Sequence, residues 1–261
     1  MLLQMLEENL EAIRGLDVER DAVAFAEQVL ARNPAPFRTI PQTTSMVLVG
    51  DGPKELPADR LGALLLARAQ LQLIAEIPAH VRELWALVEH GQTTPHARAA
   101  VLSALAYLVQ PAELIDDRSP GGYGYVDDCI VLRTMRLALA RMGVPIELDP
   151  ARELRALSLL ALALSPDHFT KMQNLMTRTW NEVHLLHMLP DHVAQTHAHQ
   201  IEASPLTLSY DWTQPGACIT NTPPSLCSGG FGEVDDEGIA IDFVDGGIVH
   251  VAPTGDIVSF A

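Results

Sequence analysis

Apolar residues near the start of the chain recur at the three- and four-residue spacing of a helix. They are Leu3, Leu6, Leu10 and Ile13, followed by Val18, Ala22, Phe25 and Val29. Because this spacing places apolar side chains on one face, it predicts two amphipathic helices. Proline residues then predict a loop over 33–58 with a short strand at 46–49. Further helices are predicted over 58–77 and from Pro78 to about His90.

Three later helix starts are predicted by their capping chemistry. Each joins a side chain that accepts hydrogen bonds to a proline at the first helical position, where proline is tolerated. The three pairs are Thr94-Pro95, Asp149-Pro150 and Ser165-Pro166. They predict helices over about 95–109, 150–164 and 166–189.

After residue 206 the pattern changes to the alternation of a strand. Alternating runs lie at 206–212, 238–243, 248–251 and 257–260, and 245–247 (Asp-Gly-Gly) is a hairpin-turn signal. Residues 213–232 are rich in Pro, Gly, Ser and Thr and predict a long loop. The predicted fold class is α+β, with a mainly α-helical body and a small C-terminal antiparallel β-meander. We predict a helical domain over 1–200 and an acidic β-rich tail domain over 201–261.

Charge separates the same two parts of the chain. The net charge is -16, and the 83 residues after Arg178 contain acids but no Lys or Arg. This composition argues against nucleic acid as a partner and favours a protein partner with a basic surface. No uninterrupted apolar run reaches the ~18 residues of a membrane span, so we do not expect membrane association. Three cysteines make no disulfide framework, which indicates a cytoplasmic protein.

A segment in the middle of the chain carries a more specific motif. Residues 104–132 read ALAYLVQPAELIDDRSPGGYGYVDDCIVL. The segment resembles the YkvA-like domain, a small bacterial family of unknown function, at Tyr107, Leu108, Pro111, Leu114, Ile115, Asp117, Pro120, Gly124, Tyr125, Asp127 and Asp128. The resemblance implies a helical hairpin over about 95–142 and no established reaction. The chain departs from the family pattern at Glu113, where the family has Asp, at Asp116, which replaces a proline, and by one inserted residue before Gly124.

Five carboxylates lie within 16 residues of this hairpin: Glu113, Asp116, Asp117, Asp127 and Asp128. Two interpretations are open. The last two lie in the first turn of the second helix, where carboxylates cap free N–H groups and favour the positive end of the helix dipole. Alternatively, the group binds a divalent cation, with Mg²⁺ or Ca²⁺ expected because hard cations prefer oxygen ligands.

Histidines form a weaker candidate metal site. His184 and His187 are three residues apart, so both lie on one side of the predicted helix. With Asp191 or a later histidine they would make a zinc site. The alternatives are a solvated boundary segment or a pH-sensitive contact.

These features support two hypotheses about function. The first is a non-enzymatic scaffold or adaptor whose acidic β tail docks on a protein partner, since no nucleophile elbow, phosphate loop, dinucleotide fingerprint or zincin motif is present. The second is a divalent-metal-dependent hydrolase in which Asp117, Asp127 and Asp128 hold the cation and Glu113 is a general base. A third interpretation, peripheral membrane association through the hairpin, is disfavoured by the negative net charge for anionic lipids.

Overall fold

The computed structural model describes residues 1–40, 44–49, 52–91, 93–110, 113–207, 223–235 and 237–260. Its helices are α1 (Leu2–Arg14), α2 (Val18–Arg32), α3 (Ala58–Ala75), α4 (Ile77–Glu89), α5 (Pro95–Tyr107), α6 (Val126–Arg141), α7 (Pro150–Ala161), α8 (Pro166–Met188) and α9 (Asp191–Ala203). Its strands are β1 (Thr44–Val49), β2 (Gly52–Pro57), β3 (Gly229–Asp235), β4 (Gly238–Phe243), β5 (Ile248–Val251) and β6 (Ile257–Phe260). The fold is α+β with a helical body and a small antiparallel sheet, as predicted.

The capping chemistry predicts the later helix starts correctly. The side chains of Thr94, Asp149 and Ser165 each accept a hydrogen bond from a backbone N–H in the first turn of α5, α7 and α8. Each cap satisfies a donor that the helix itself leaves without a partner. Sequence analysis did not predict α9, which runs through residue 200. The boundary predicted there therefore falls inside a helix.

The most apolar helix, α3, lies at the centre of the fold. It packs against α2, α4, α6, α7 and the sheet, and its side chains are buried on nearly every face. Within the described residues, the stretch Ala58–Glu89 is the one helical segment long and apolar enough to cross a membrane. Because 83% of its most apolar 18-residue window is buried inside the protein, its apolar surface contacts other helices and the sheet.

The four-stranded sheet is an antiparallel meander in the order β3-β4-β5-β6. Phe231 pairs with Ile241, which pairs in turn with Val249, and all three side chains are buried. The ring of Phe231 lies 4.6 Å from that of Phe37, and Ile239 of β4 packs beside Gly62 on α3. The sheet therefore shares one continuous core with the helices.

Two strands were not predicted, because glycine and proline interrupt their alternation. Strand β3 begins inside the predicted loop 213–232, and β2 contains two prolines yet pairs with β1 along its whole length. The strand predicted at 206–212 begins in a 3-10 turn, Pro205–Thr207. Its remaining residues, 208–212, lie outside the described residues.

Candidate metal centre at the helical hairpin

The loop between α5 and α6 folds back onto the start of α6. Gly121 and Gly122 have φ angles of 68° and 80°, a left-handed conformation that favours glycine. A Cβ atom on Gly124 would lie 2.5 Å from the Cα of Asp117, closer than two carbon atoms can approach. Glycine at this position therefore lets the acidic loop segment lie directly against the first turn of α6.

Asp127 fixes this loop in place. Its Oδ2 accepts hydrogen bonds from the backbone N–H groups of Leu114 (3.1 Å) and Ile115 (3.2 Å) and from the hydroxyl of Tyr107 (3.3 Å). The capping interpretation placed this carboxylate on the N–H groups of its own helix. These hydrogen bonds tie it to the preceding loop, because the loop amides lie against the helix start. Its own backbone N–H, in the first turn of α6, also forms a hydrogen bond that opposes the rise in its pKa, so Asp127 joins the loop and the helix start.

Three of the five predicted carboxylates converge beside it. Ligand oxygens of Glu113, Asp117 and Asp128 all lie within 4.8 Å of one another. Asp128 is 2% exposed, and its Oδ1 is buried with no hydrogen-bond partner among the described residues. One buried oxygen of Asp117 and the Oδ1 of Asp127 also have no partner in the described structure. The arrangement supplies a dense set of buried oxygen acceptors and few donors.

The electrostatics of the cluster follow from burial and from repulsion between like charges. Burial is the largest cause that raises the pKa of Glu113 to about 8 and that of Asp117 to about 6. Burial also raises the pKa of Asp127 to about 7, although the amide of Ile115 opposes the shift. The pKa of Asp128 lies well above its ordinary value, because burial is reinforced by its acidic neighbours.

The structure does not bring Asp116 into this cluster. Its side chain is exposed, and its Oδ1 accepts a hydrogen bond from the backbone N–H of Arg118 (3.0 Å). Its carbonyl oxygen accepts another from the N–H of Ser119 (2.8 Å). Asp116 therefore shapes the turn that follows the cluster.

A polar cavity of about 600 Å³ opens onto the cluster. Its walls are Asn9, Val109, Gln110, Glu113, Asp116, Asp117 and Arg118. Two of the converging carboxylates line the cavity directly, while Asp128 lies behind them in the protein interior. A cation at the cluster would therefore have protein oxygens on one side and room for water or a ligand on the other.

A second buried charged group lies further along α6. Arg133 binds Glu76 (2.6 Å) and Glu153 (2.7 Å), and Arg136 binds Glu153 (2.9 Å) and Glu83 (2.8 Å). The two arginines are 1% and 4% exposed. Unlike the carboxylates at the start of the helix, each of these buried charges faces a charge of opposite sign. Sequence analysis missed this group, since nothing in the spacing of the glutamates along the chain indicates that they meet α6.

The predicted histidine pair lies apart from this centre. The Nδ1 of His184 contacts the carbonyl oxygen of Trp180 at 2.8 Å, and the exposed His187 lies beside His96, with 5.8 Å between ring centroids. His96 in turn approaches Asp191 at 3.6 Å. In the described part of the chain, no third His, Cys, Asp or Glu joins the pair closely enough for a metal site. The zinc site stays a prediction without geometric support.

Comparisons with known proteins identify no relative. No family model matches the chain, and neither a curated protein nor a solved structure matches it. The resemblance of residues 95–142 to the YkvA-like domain therefore stays a prediction. The helical hairpin that the resemblance implies is present as α5 and α6 with the loop between them.

Proposed function

We propose that this protein binds a divalent cation at Glu113, Asp117 and Asp128. The observation that carries the proposal is the convergence of three carboxylates, one of which, Asp128, has a buried Oδ1 with no hydrogen-bond partner among the described residues. A buried polar atom without a partner costs about 1–3 kcal/mol, and more when it is charged. A cation would remove this cost for the whole group at once.

The ligand set favours a hard cation. All three ligands are carboxylates, and oxygen ligands suit Mg²⁺, Ca²⁺ and Mn²⁺ better than zinc, which prefers nitrogen and sulfur. The cavity on the open side leaves room for the waters that Mg²⁺ retains or that Ca²⁺ needs to reach six to eight ligands. Asp127 acts as a positioning residue, because its carboxylate holds the loop that carries Glu113 and Asp117.

Metal-dependent hydrolysis at the same site receives less support. Among the cavity-lining residues that the structure describes, Arg118 carries the one positive charge, against the acids Glu113, Asp116 and Asp117. With a divalent cation bound, the charges of these four residues and the cation sum to zero, so the cavity offers an anionic substrate no net positive charge. A general-base role for Glu113 also conflicts with its place among the metal ligands. We therefore place cation binding, with the cation closing the hairpin, ahead of catalysis.

The test is a titration of chelator-treated protein with MgCl₂, CaCl₂ and MnCl₂, followed by calorimetry and thermal melting. We expect one equivalent to bind, with a stabilisation of about 2.7 kcal/mol at a hundredfold excess over Kd. Asp128→Asn removes a ligand charge while preserving shape, and should weaken binding by at least tenfold. Asp116→Asn is the matched control, because it neutralises a neighbouring carboxylate outside the cluster and should leave Kd within about twofold.

Two outcomes would count against the proposal. One is a folded protein that binds none of the three cations and whose melting temperature they do not change. The other is equal weakening by the two substitutions, since this would indicate a diffuse attraction to acidic surface in place of a site. Elemental analysis of untagged protein, with Asp128→Asn beside it, identifies which metal is bound on purification.

A second candidate function is protein-partner binding, and the face formed by α8 and α9 favours it. Leu185, Met188 and Val193 are 42%, 59% and 37% exposed there, beside a groove of about 470 Å³. Glu182, His192 and His197 also line the groove, and burial raises the pKa of Glu182. Exposed apolar side chains along this groove complement the apolar face of an amphipathic partner helix, and the net charge of -16 favours a basic one.

This location differs from the acidic tail, where sequence analysis placed the docking surface. In the structure the apolar face of the sheet packs onto α3, and Asp245 already pairs with Arg155 at 2.7 Å. The α8–α9 face retains exposed apolar side chains. We therefore propose it as the docking surface of the adaptor hypothesis.

A synthetic Leu/Lys helical peptide and its Leu/Glu counterpart test this candidate by fluorescence anisotropy. We expect the basic peptide to bind and the acidic one not to bind. The double variant Leu185→Ser/Val193→Ser should weaken binding at least tenfold, whereas Leu3→Ser, at a comparably exposed leucine on α1, should not. Equal binding of both peptides, or equal effects of the variants, would refute a specific surface.

A further inference from the structure

A second cavity lies at the far end of α6 from the carboxylate cluster. It has a volume of about 490 Å³ and lies between the last turn of α6, the segment 144–150, α7 and α8. Its walls include Leu137, Ile146, Leu148 and Leu154. Most of its lining is aliphatic, and its volume lies in the range of about 300–1,000 Å³ that is typical of small-molecule sites. Leu154 is 42% exposed, so the cavity is open to solvent on this side.

One positively charged side chain lines this cavity. Arg141 is the one charged residue among the lining residues, and its guanidinium lies 5.8 Å from the ring centroid of Trp180. The described residues place no acid within salt-bridge distance of it. Arg133 and Arg136 on the same helix are buried and bind glutamates, whereas Arg141 is exposed, so its guanidinium is accessible to an anion from solvent. A guanidinium over an aromatic face beside aliphatic walls matches the head of an amphipathic anion.

Trp180 adds a second polar feature. Its side chain is buried at 4% exposure, and its indole Nε1–H has no hydrogen-bond acceptor in the described part of the chain. A buried donor without an acceptor costs about 1–3 kcal/mol. The lining thus combines an extended apolar surface, a free cation and a residue with an unsatisfied donor. A ligand with an apolar body and an anionic oxygen head would complement the apolar surface and the guanidinium.

We propose that this cavity binds a small amphipathic carboxylate, with its hydrocarbon part against the aliphatic walls and its carboxylate on Arg141. A single guanidinium matches a single negative charge. A doubly charged phosphate head would meet stronger repulsion from a protein whose net charge is -16. The site is independent of the cation site, because the two cavities share no lining residue.

Calorimetric titration with octanoate, and separately with 1-octanol, tests the assignment. We expect octanoate to bind more tightly than octanol, since both fill the apolar cavity and octanoate alone pairs with Arg141. Arg141→Met should weaken octanoate binding at least tenfold and leave octanol binding within about twofold. Arg60→Met is the control, because it removes the same charge from an exposed position elsewhere and should leave both affinities unchanged.

A third variant tests the cavity itself. Ala140→Trp adds bulk at the lining and should weaken the binding of both ligands. If Ala140→Trp does not fold, Leu154→Ser replaces it, because it removes part of the apolar wall and should also weaken both. The proposal is overturned if wild-type protein binds neither ligand, if octanol binds as tightly as octanoate, or if Arg141→Met and Arg60→Met have equal effects on octanoate. Asp128→Asn should leave octanoate binding intact, which separates this site from the proposed cation centre.

Discussion

The two ends of the buried part of α6 differ in whether their buried ionisable side chains have partners of opposite charge. At its start, Asp127 and Asp128 lie in the interior beside Glu113 and Asp117, and all four are acids. Two turns later, buried arginines on the same helix each hold glutamates from other helices within 3 Å. These two aspartates and two arginines of α6 are buried to a similar extent, so the two ends of the helix differ in the charge of the neighbouring side chains.

This difference shows what burial alone does not. A buried ion pair whose geometry is good needs nothing from outside the chain. Buried carboxylates without a positive partner must hold protons or a cation, because an isolated charge in the interior is too costly. Arg133 and Arg136 with their glutamates, which we call the balanced group, therefore need no further partner. The acidic group of Glu113, Asp117, Asp127 and Asp128 lacks a positive charge. We expect the two ends to respond oppositely to pH, to cations and to neutral substitutions.

The largest expected effect is the pH dependence of the metal-free protein. The pKa values of Glu113, Asp117 and Asp127 are raised to about 8, 6 and 7, so folding favours their protonated forms. Their stabilising contribution is complete near pH 4 and is lost as pH rises to about 8. Each carboxyl contributes a slope of up to about 1.4 kcal/mol per pH unit. Urea unfolding at several pH values, with chelator and with saturating cation, measures it.

A bound cation should flatten that profile, because it replaces the protons as the source of positive charge. Asp128→Asn should flatten it in the chelated protein as well, since one member of the repelling group is gone. If the metal-free wild-type protein gains stability between pH 4 and pH 8, repulsion among the buried carboxylates does not destabilise the start of α6.

The next largest effect is expected from breaking the balanced end. Arg133→Met would leave the buried carboxylate of Glu153 with one partner fewer and Glu76 without its shortest contact. Removing one member of a buried ion pair typically costs about 3–5 kcal/mol. We expect a loss of this size in the free energy of unfolding from urea titration, with no change in cation affinity. A loss under about 1 kcal/mol would show that the two ends differ less than their contacts indicate.

A smaller effect is expected from Gly124→Ala, which acts on the acidic end through the backbone alone. The added methyl group would meet the Cα of Asp117 and push the loop away from α6. Overpacking of this kind costs about 1–3 kcal/mol, and the displaced loop should also bind the cation more weakly. Gly91→Ala is the control, since nothing lies within 4 Å of its added Cβ atom. If Gly124→Ala is destabilised and its cation affinity is unchanged, cation binding does not depend on the position of the loop against α6.

The smallest effect is expected at the exposed edge of the balanced group. Arg152 contacts Glu76 at 3.3 Å, and its side chain is 55% exposed. Surface pairs contribute about 0–1 kcal/mol, so Arg152→Met should cost no more than that. The same unfolding titration compares it directly with Arg133→Met. Similar losses for the two arginines would mean that burial is not what makes the inner one important.

The sequence predicted those parts of the fold that depend on local chemistry. Cap residues such as Thr94 and Asp149, and the alternation that gives β4 and β5, act over a few residues and could be read directly. Strand β3 was missed because its glycines break the alternation, and its place in the sheet depends on pairing with β4. The position of such a strand depends on contacts between residues that are distant in the chain, which local sequence patterns do not indicate.

The candidate site was predicted in the same partial way. The segment was recognised from its density of acids, but the sequence could not separate Asp116, which shapes a turn, from Asp117, which joins the cluster. Neighbours in the chain face different directions once the loop folds onto Gly124. The role of Asp127 in holding the loop amides of 114 and 115 likewise depends on a contact that no spacing along the chain reveals.

The cover that the sheet forms over α3 has a consequence for biosynthesis. About 170 residues separate the start of α3 at Ala58 from the start of β3 at Gly229. At a translation rate of about 5–20 residues per second, the most apolar helix of the protein waits roughly 10–30 s on the ribosome for the strands that enclose it. During that interval the face of α3 that the sheet covers is an exposed hydrophobic surface that chaperones would recognise. Truncations that remove the sheet should therefore yield aggregation-prone chains, although every helix of the body is still encoded.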